Sequence, residues 1–552
     1  MGNLIDSVCL CCCKNRNRKF NNVLYSNYLS QDLLEEYRSY NLSVEMEKVS
    51  NLKELKIKPS TFIRESTDQP ADVYQMIEYI NQGSFGKVVK VRPFYINEER
   101  AMKIIKKSNR FFGVKENDIY NEIKILKSLD HPNIIKIHEF FSDAINFYII
   151  TEFCEEGDLY TKLSKVSCFR ERVVLNIMRQ ILSTISYLHS KGIIHGDLKL
   201  ENILIDSSRY INKNSGDQSS ANSTDVALNP KNFIYTQRSD EYFDIKLIDF
   251  GCSKIFQKDE KQSNFIGTSY YIAPEVFENS YDEKSDIWSC GVIMHMMLTG
   301  KLPFEGNDDE EILENIQKGR ITLEHLHSKC ISKKATELVK LLLNFDAKKR
   351  PSAKQSLNNS CFLTTSRHDN YIIDLTYSKS VLNNLKNFNA EQKFQQAVIT
   401  YITHNLVKKA EVQNLRRIYK MMDKDQDGRI SKKELKNAFR EIHGTVLADI
   451  EVDNIFKSID HDNNGYIEYE EFLRATIDRN LLLSESNLRH AYDLFDLDKS
   501  GTISVEEVKI IIGGGKNIPD NVITDLLSEI DKKSDEEIYY EEFREIMIKI
   551  LK

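Results

Sequence analysis

No stretch of this 552-residue chain stays apolar over the roughly 18 residues that a membrane-spanning helix needs, and its first residues lack the apolar core of a secretory signal. A spanning or secreted protein is therefore set aside, and an intracellular, cytoplasmic one is expected. Nor is there a disulfide framework. Six of the ten cysteines (Cys154, Cys168, Cys252, Cys290, Cys330 and Cys361) stand singly along the chain, the pattern of reduced core thiols. What is present is ordinary for soluble globular domains, 41% hydrophobic and 29% charged residues, in a length that suggests three or four structural units. The formal charge of -7 is uneven. From Glu411 onward 31 acidic residues face 21 basic ones, a net of -10, leaving about +3 for the rest. The acidic residues of that tail recur periodically, which points to a divalent cation rather than to a solvated tail.

Residues 1–71 are expected to form an extension. Its start reads MGNLIDSVCLCCCKNRNRK, with Gly2 exposed once Met1 is removed and Cys9, Cys11, Cys12 and Cys13 ahead of Lys14, Arg16, Arg18 and Lys19. Myristate on Gly2 and palmitate on the cysteines, reinforced by the basic patch, would give the two signals that stable membrane attachment requires. The myristoylation motif departs at its sixth position, where Asp6 stands for Ser or Thr. Adjacent cysteines without a second Cys/His pair have poor geometry for zinc. The remainder of the extension is polar and shows no identifiable chemistry.

From residue 72 the pattern turns to strand-like alternation. His195-Gly196-Asp197-Leu198-Lys199-Leu200-Glu201-Asn202 keeps the His, Asp, Leu and Asn of the pattern H-R-D-L-x-x-x-N, with Gly196 in place of Arg. Ahead of it lie Asn81-Gln82-Gly83-Ser84-Phe85-Gly86-Lys87-Val88, Lys103 in an alternating strand, and a helix expected over residues 117–129 that carries Glu122. Behind it lie Asp249-Phe250-Gly251, Gly267-Thr268, Ala273-Pro274-Glu275, Asp286 to Gly291, and Arg350. In that order these motifs resemble the protein kinases over residues 72–363. A Ser/Asn/Asp-rich stretch at about 207–240, too poor in apolar residues to offset its ordering entropy, is expected to be a disordered surface insertion.

The acidic tail holds four segments spaced by 35 to 37 residues. In the first, Asp423, Asp425, Asp427 and Glu434 occupy loop positions 1, 3, 5 and 12, with Gly428 at 6 and the carbonyl of Arg429 at 7. Hard oxygen ligands at this spacing wrap Ca²⁺. The second loop repeats the pattern with Asp460, Asp462, Asn464, Tyr466 and Glu471, and the third with Asp496, Asp498, Ser500, Thr502 and Glu507. The fourth, residues 531–542, has Lys533 at position 3 and Glu536 in place of the glycine, so weak or no binding is expected there. Between the two regions, residues 364–410 carry apolar positions at helical spacing: Val381, Leu382, Leu385, Phe388, Phe394, Ala397, Val398, Tyr401 and Ile402.

The full order resembles the calcium-dependent protein kinases of plants and protists. That resemblance implies a multidomain α+β chain: a bilobal kinase fold, an autoinhibitory junction at 364–410, and an all-α calmodulin-like domain of two EF-hand pairs at 411–552. It implies transfer of the ATP γ-phosphate to Ser/Thr hydroxyls, with Asp197 accepting the hydroxyl proton and Lys199 steadying the phosphate. Asn202 and Asp249 would hold Mg²⁺, and Lys103, fixed by Glu122, would orient the α/β-phosphates. Gly83, Ser84, Phe85, Gly86 and Val88 would cover the nucleotide. Glu152 and Cys154 would lie in the strand and hinge that face adenine, with Thr151 at the back of the nucleotide pocket and Asp158 near the ribose. Glu201 with Asp158 implies basic residues near the phosphorylated site of protein substrates, met by a monomer that binds no nucleic acid.

Overall fold

The computed structural model describes residues 57–63, 65–66, 69–82, 86–107, 116–212, 239–256, 269–278, 280–327, 331–362, 375–388, 392–513, 518–528 and 537–551. They belong to one compact unit, Val49–Gly514 with Ile518–Lys552. The other unit, Met1–Lys48 with Gly515–Asn517, lies outside the described residues, and so do Gly2 and the four N-terminal cysteines.

Strands β1 (Glu65–Ser66), β2 (Tyr74–Gln82), β3 (Lys87–Pro93), β4 (Arg100–Lys106), β5 (Ile137–Ser142) and β6 (Asn146–Glu152) form one sheet in the order β1-β5-β6-β4-β3-β2. Every pairing is antiparallel except β1 with β5. In β3, Val89 and Val91 point into the core while Lys87 is exposed, the alternation of a half-buried strand. The register sets Lys103 between Val88 and Ile149, and helix Glu116–Ser128 supplies Glu122 from its buried face.

The larger helical half is built on helix Glu171–Ser190, whose Val174, Ile177, Met178, Ile181, Leu182, Ile185 and Leu188 recur at helical spacing and are all buried. The single Trp288 stacks on Phe304, with the Arg350 guanidinium 4.9 Å over its ring. Arg350 makes two bonds to Glu275, at 2.6 and 2.7 Å, with none of its side chain exposed. Removing one partner of such a buried pair costs about 3–5 kcal/mol, so this pair anchors the lobe.

The patternless stretch is shorter than the composition suggests. Strands Ile203–Asn212 and Ser239–Leu247 form a hairpin that continues to the pairing of Asn212 with Ser239, well inside residues 207–240. Backbone pairing needs no apolar side chains, so composition alone placed the boundary too close to the core.

A second core unites the junction with the EF-hand region. Val381, Leu382, Leu385 and Phe388, then Phe394, Ala397, Val398 and Ile402, are buried with Leu415, Ile418, Met422 and Leu435, and Tyr401 packs against them. Helix Leu375–Lys386 packs on Tyr469–Thr476, and helix Lys393–Asn405 packs on Tyr469–Thr476 and Glu485–Phe495. The first two EF loops are joined by reciprocal backbone bonds between Ile430 and Ile467, at 3.0 and 2.9 Å. Strands Thr502–Ser504 and Glu537–Tyr539 join the other two. Asp531, Lys533 and Glu536 of the fourth loop lie outside the described residues.

Candidate active site and calcium loops

The site begins with one part-buried cation. Lys103 Nζ lies 3.0 Å from Glu122 Oε1 and 3.4 Å from Asp249 Oδ1, so a strand, a helix and a turn meet at a single ammonium group. Burial works to lower the lysine pKa, but the Glu122 and Asp249 carboxylates outweigh it and hold the pKa above the usual range. Asp249 is the counterpart. Burial opposes its ionisation, yet Lys103 and then His195 keep its carboxyl below the ordinary value. The Asp249 backbone sits at φ 64°, a left-handed conformation uncommon for a non-glycine residue and typical of sites where geometry is imposed.

Asp197 is held by its neighbours. Lys199 Nζ donates to its Oδ2 at 2.7 Å, while Asn202 Nδ2 donates to its carbonyl at 2.8 Å and its Oδ2 at 3.1 Å. His195 packs edge-on against Phe250, with ring centroids 5.0 Å apart. The loop is pinned from below by Asp286, which accepts from the backbone N–H of His195 and of Gly196, both at 3.0 Å, and pairs with His189 at 2.9 Å. The sequence marked Asp286 only as part of a motif. Its role as anchor depends on the 90-residue separation that folding closes.

Gly196 stands at φ 79°, and a Cβ there would come within 2.9 Å of the Cys252 carbonyl oxygen. The glycine therefore suits a left-handed, crowded position. Gly83, Ser84 and Phe85 lie outside the described residues, as do Gly267 and Thr268. Gly86 and Val88 are described, with Val88 opposite Lys103.

The hinge differs in detail from what its motif suggests. Glu152 turns its carboxylate to Lys246, at 2.6 Å, and to the N–H of Lys136. Cys154 is buried with its thiol 3.8 Å from Asp206, and burial pushes it above the usual thiol pKa. Thr151 Oγ1 donates to the Glu152 carbonyl at 3.3 Å. What Glu152 and Cys154 can offer a purine is thus their backbone, not their side chains. Asp158 caps helix Leu159–Val166, accepting from the N–H and the hydroxyl of Thr161 at 2.7 and 2.8 Å. Burial raises the Glu201 carboxyl pKa, with Asp158 and Asp197 adding to the rise.

In each of the first three EF loops the carboxylates at positions 1, 3 and 12 bring oxygens within 4.8 Å of one another. Gly428 N donates to Asp423 Oδ2 at 3.0 Å and Lys424 N to Glu434 Oε1 at 2.8 Å. Loops two and three repeat the arrangement at Gly465 with Asp460 and at Gly501 with Asp496. Burial, then Asp427 and Glu434, push the Asp423 carboxyl well above its ordinary pKa. The buried Asp496 Oδ1 has no hydrogen-bond partner. Converging, mutually repelling oxygens with an orphaned acceptor fit a hard divalent cation such as Ca²⁺.

No motif or periodicity marks how the two regions meet. Asp206, at the base of the hairpin, pairs with Lys409 and Arg416 of the first EF helix, and Lys409 Nζ also donates to the Phe153 carbonyl at 2.9 Å. Lys420 reaches Asp244 at 3.2 Å and Gln180 at 3.0 Å. His404 Nε2 lies 2.9 Å from the Ile137 carbonyl and Lys136 pairs with Glu470 at 2.8 Å. Ser183 Oγ donates to the Gln426 carbonyl within the first loop, at 2.9 Å. Residues 57–63, which showed no chemistry in the sequence, also lie here. Ile57 and Phe62 join the EF-hand core, Phe62 packs on Tyr401, and Ile63 joins the kinase core.

The chain matches the protein kinase domain over residues 74–362 and the EF-hand domain pair over 412–477 and 485–548. It is 34% identical to calcium-dependent protein kinase 4 of Plasmodium berghei (strain Anka) over 547 residues, 97% of each chain. It is 35% identical to calcium-dependent protein kinase 4 of Plasmodium falciparum (isolate 3D7) over 505 residues, 90% of each. Calcium-dependent protein kinase 5 of the latter is 31% identical over 490 residues, 87% of this chain and 79% of that one. Similarity that runs through kinase, junction and EF-hands alike leaves one assignment: the chain belongs to the calcium-dependent protein kinase family and is a serine/threonine protein kinase under calcium control.

Proposed function

We propose that Asp197 accepts the proton of the substrate hydroxyl as it attacks the γ-phosphorus, while Lys199 spreads the charge on the transferring phosphoryl group. Lys103 orients the α/β-phosphates, and Asn202 and Asp249 hold Mg²⁺, which when bound neutralises charge on the phosphate oxygens. The observation that carries this reading is Lys103, already bridging Glu122 and Asp249 at 3.0 and 3.4 Å. The first three EF loops take up Ca²⁺, and the fourth, with Lys533 and Glu536, binds it weakly or not at all. The junction blocks the kinase when its apolar stripe is not engaged by the EF-hands. Burial of that stripe in the EF-hand core supports a direct contact between the junction and the calcium sensor. Glu201 and Asp158, whose charges act on one another, favour substrates with basic residues near the phosphorylated site. Acylation at Gly2 or Cys9, Cys11, Cys12 and Cys13 attaches the protein, a monomer, to a membrane.

Gly196 adds one statement about control. The arginine it replaces would be a main charge partner for an activation-loop phosphate. Activity accordingly does not require phosphate between Gly251 and Ala273.

The test is phosphate transfer to a basic Ser/Thr peptide with and without calcium, using protein freed of phosphate. Calcium-dependent transfer that falls at least about 10²-fold in Asp197→Asn is expected. Absence of transfer at every calcium level would remove the enzymatic reading, and transfer only after activation-loop phosphorylation would remove the statement about Gly196.

A further inference from the structure

The three calcium loops share a ligand pattern but not an environment. In the first, Lys354 of helix Ala353–Leu357, which belongs to the kinase half, places Nζ 3.2 Å from Asp425 Oδ2 and 3.9 Å from Asp427 Oδ2. In the second, Lys58 of the N-terminal extension places Nζ 3.0 Å from Asp462 Oδ2. Both cations come from outside the EF-hand region, and the carboxylates they meet are those at positions 3 and 5 of the first loop and position 3 of the second. Their positions are fixed by packing on either side. Ile57 and Phe62 are buried beside Lys58, and the first loop is held to the kinase by Ser183 on the Gln426 carbonyl and by His131 against Gly428. Among the described residues, no lysine or arginine forms an ion pair with Asp496 or Asp498 of the third loop.

We propose that Lys354 and Lys58 set the calcium affinity of the first and second loops, each holding it down for as long as the kinase half and residues 57–63 are docked. The inference rests on the reading of these loops as calcium sites. An ammonium group against a ligand carboxylate lies a few ångströms from the ion that carboxylate binds. Held about 5 Å from a divalent ion in a water-like surrounding, one charge would cost roughly 15-fold in affinity, and the freedom of these half-exposed lysines to swing into solvent reduces that to roughly three- to tenfold. Linkage makes the effect mutual, because calcium in the loop weakens the lysine contact by the same factor. The two lysines thus raise the calcium level at which the first EF pair fills, and neither is a calcium ligand.

The experiment is calcium titration of the full chain by calorimetry at low salt. Glu471→Gln with Glu507→Gln leaves the first loop to be read alone, and Glu434→Gln with Glu507→Gln leaves the second. Lys354→Met is expected to lower the first loop's Kd about three- to tenfold, and Lys58→Met the second loop's. Lys354→Arg and Lys58→Arg should stay within about twofold, and the gain in the Met variants should shrink in 0.5 M salt as exposed charges are screened. With Glu434→Gln and Glu471→Gln together, the third loop should not respond to either lysine. An unchanged or raised Kd in the Met variants overturns the inference while leaving the loops as calcium sites. Absence of calcium binding in the unmodified protein overturns the reading of the loops and the inference together.

Discussion

Two groups of carboxylates govern this molecule, and their surroundings act on their charge in opposite ways. In the kinase half Asp249 and Asp197 already face cations of their own chain, Lys103 and Lys199, and Asp249 is held below its ordinary pKa. In the EF loops the carboxylates face one another and backbone N–H groups, and Asp423 is driven well above its ordinary value. The first group is assembled before any ligand arrives. The second keeps a repulsion that Lys354 and Lys58 offset only in part and that a bound divalent cation relieves, which is why the calcium half can act as the variable element and the catalytic half as the constant one.

That contrast can be broken in three places. The largest effect is expected for Glu434→Gln. Removing one charge about 4 Å from a divalent ion in water-like surroundings costs about 2 kcal/mol, a roughly 30-fold rise in the first loop's Kd, measured by calcium titration. Calcium affinity that did not move would mean the repelling carboxylates are not what calcium relieves. Next comes Gly196→Ala. A side chain forced into the left-handed region, and against the Cys252 carbonyl, should cost about 1–2 kcal/mol and lower the melting temperature of the kinase half by a few degrees, with calcium binding untouched. An equally large loss of calcium affinity would show that the two halves are not separable in this way.

The smallest effect concerns the seam between them. Burial pulls Lys420 down to about 8, despite Asp244 beside it. Free in solvent, a lysine titrates near 10.4. Between those values the undocked form binds more protons than the docked one, so raising the pH from 8 toward 10 should favour docking. Below pH 8 both forms carry the charge and this group adds no pH dependence. One proton allows at most tenfold per pH unit, and about fivefold from pH 8 to 9 is expected, read as a higher hydrogen-exchange protection factor at the seam, each rate being divided by its intrinsic rate at that pH, and lost in Lys420→Met. Docking that weakened over this range would show that Lys420 is not the titrating group.

Much of the catalytic and calcium machinery was legible because its geometry is local. The spacing of His195 to Asn202, or of Asp423 to Glu434, fixes relative positions within a single turn or loop. The Lys103–Glu122 pair was legible for a related reason, since strand and helix follow each other directly. The seam was not. Asp206 meets Arg416 across 210 residues and Lys58 meets Asp462 across 404, and no local pattern marks either. Glu152 shows a different limit. Its place in the hinge could be read from the motif, but the direction of its side chain, toward Lys246, follows from tertiary packing. The hairpin to Asn212 was missed because a ladder satisfies backbone groups whatever the side chains.

The reciprocal bonds between Ile430 and Ile467 carry a consequence for signalling. Two complete loops sharing one ladder cannot be ordered independently, so the first EF pair should answer calcium with a Hill coefficient above one. The second pair has the same kind of ladder, through Ile503 and Ile538, but only one complete ligand set. Its response should be graded. A single polypeptide would then join a steep threshold to a gradual input, giving the kinase both a sharp onset and a wide dynamic range.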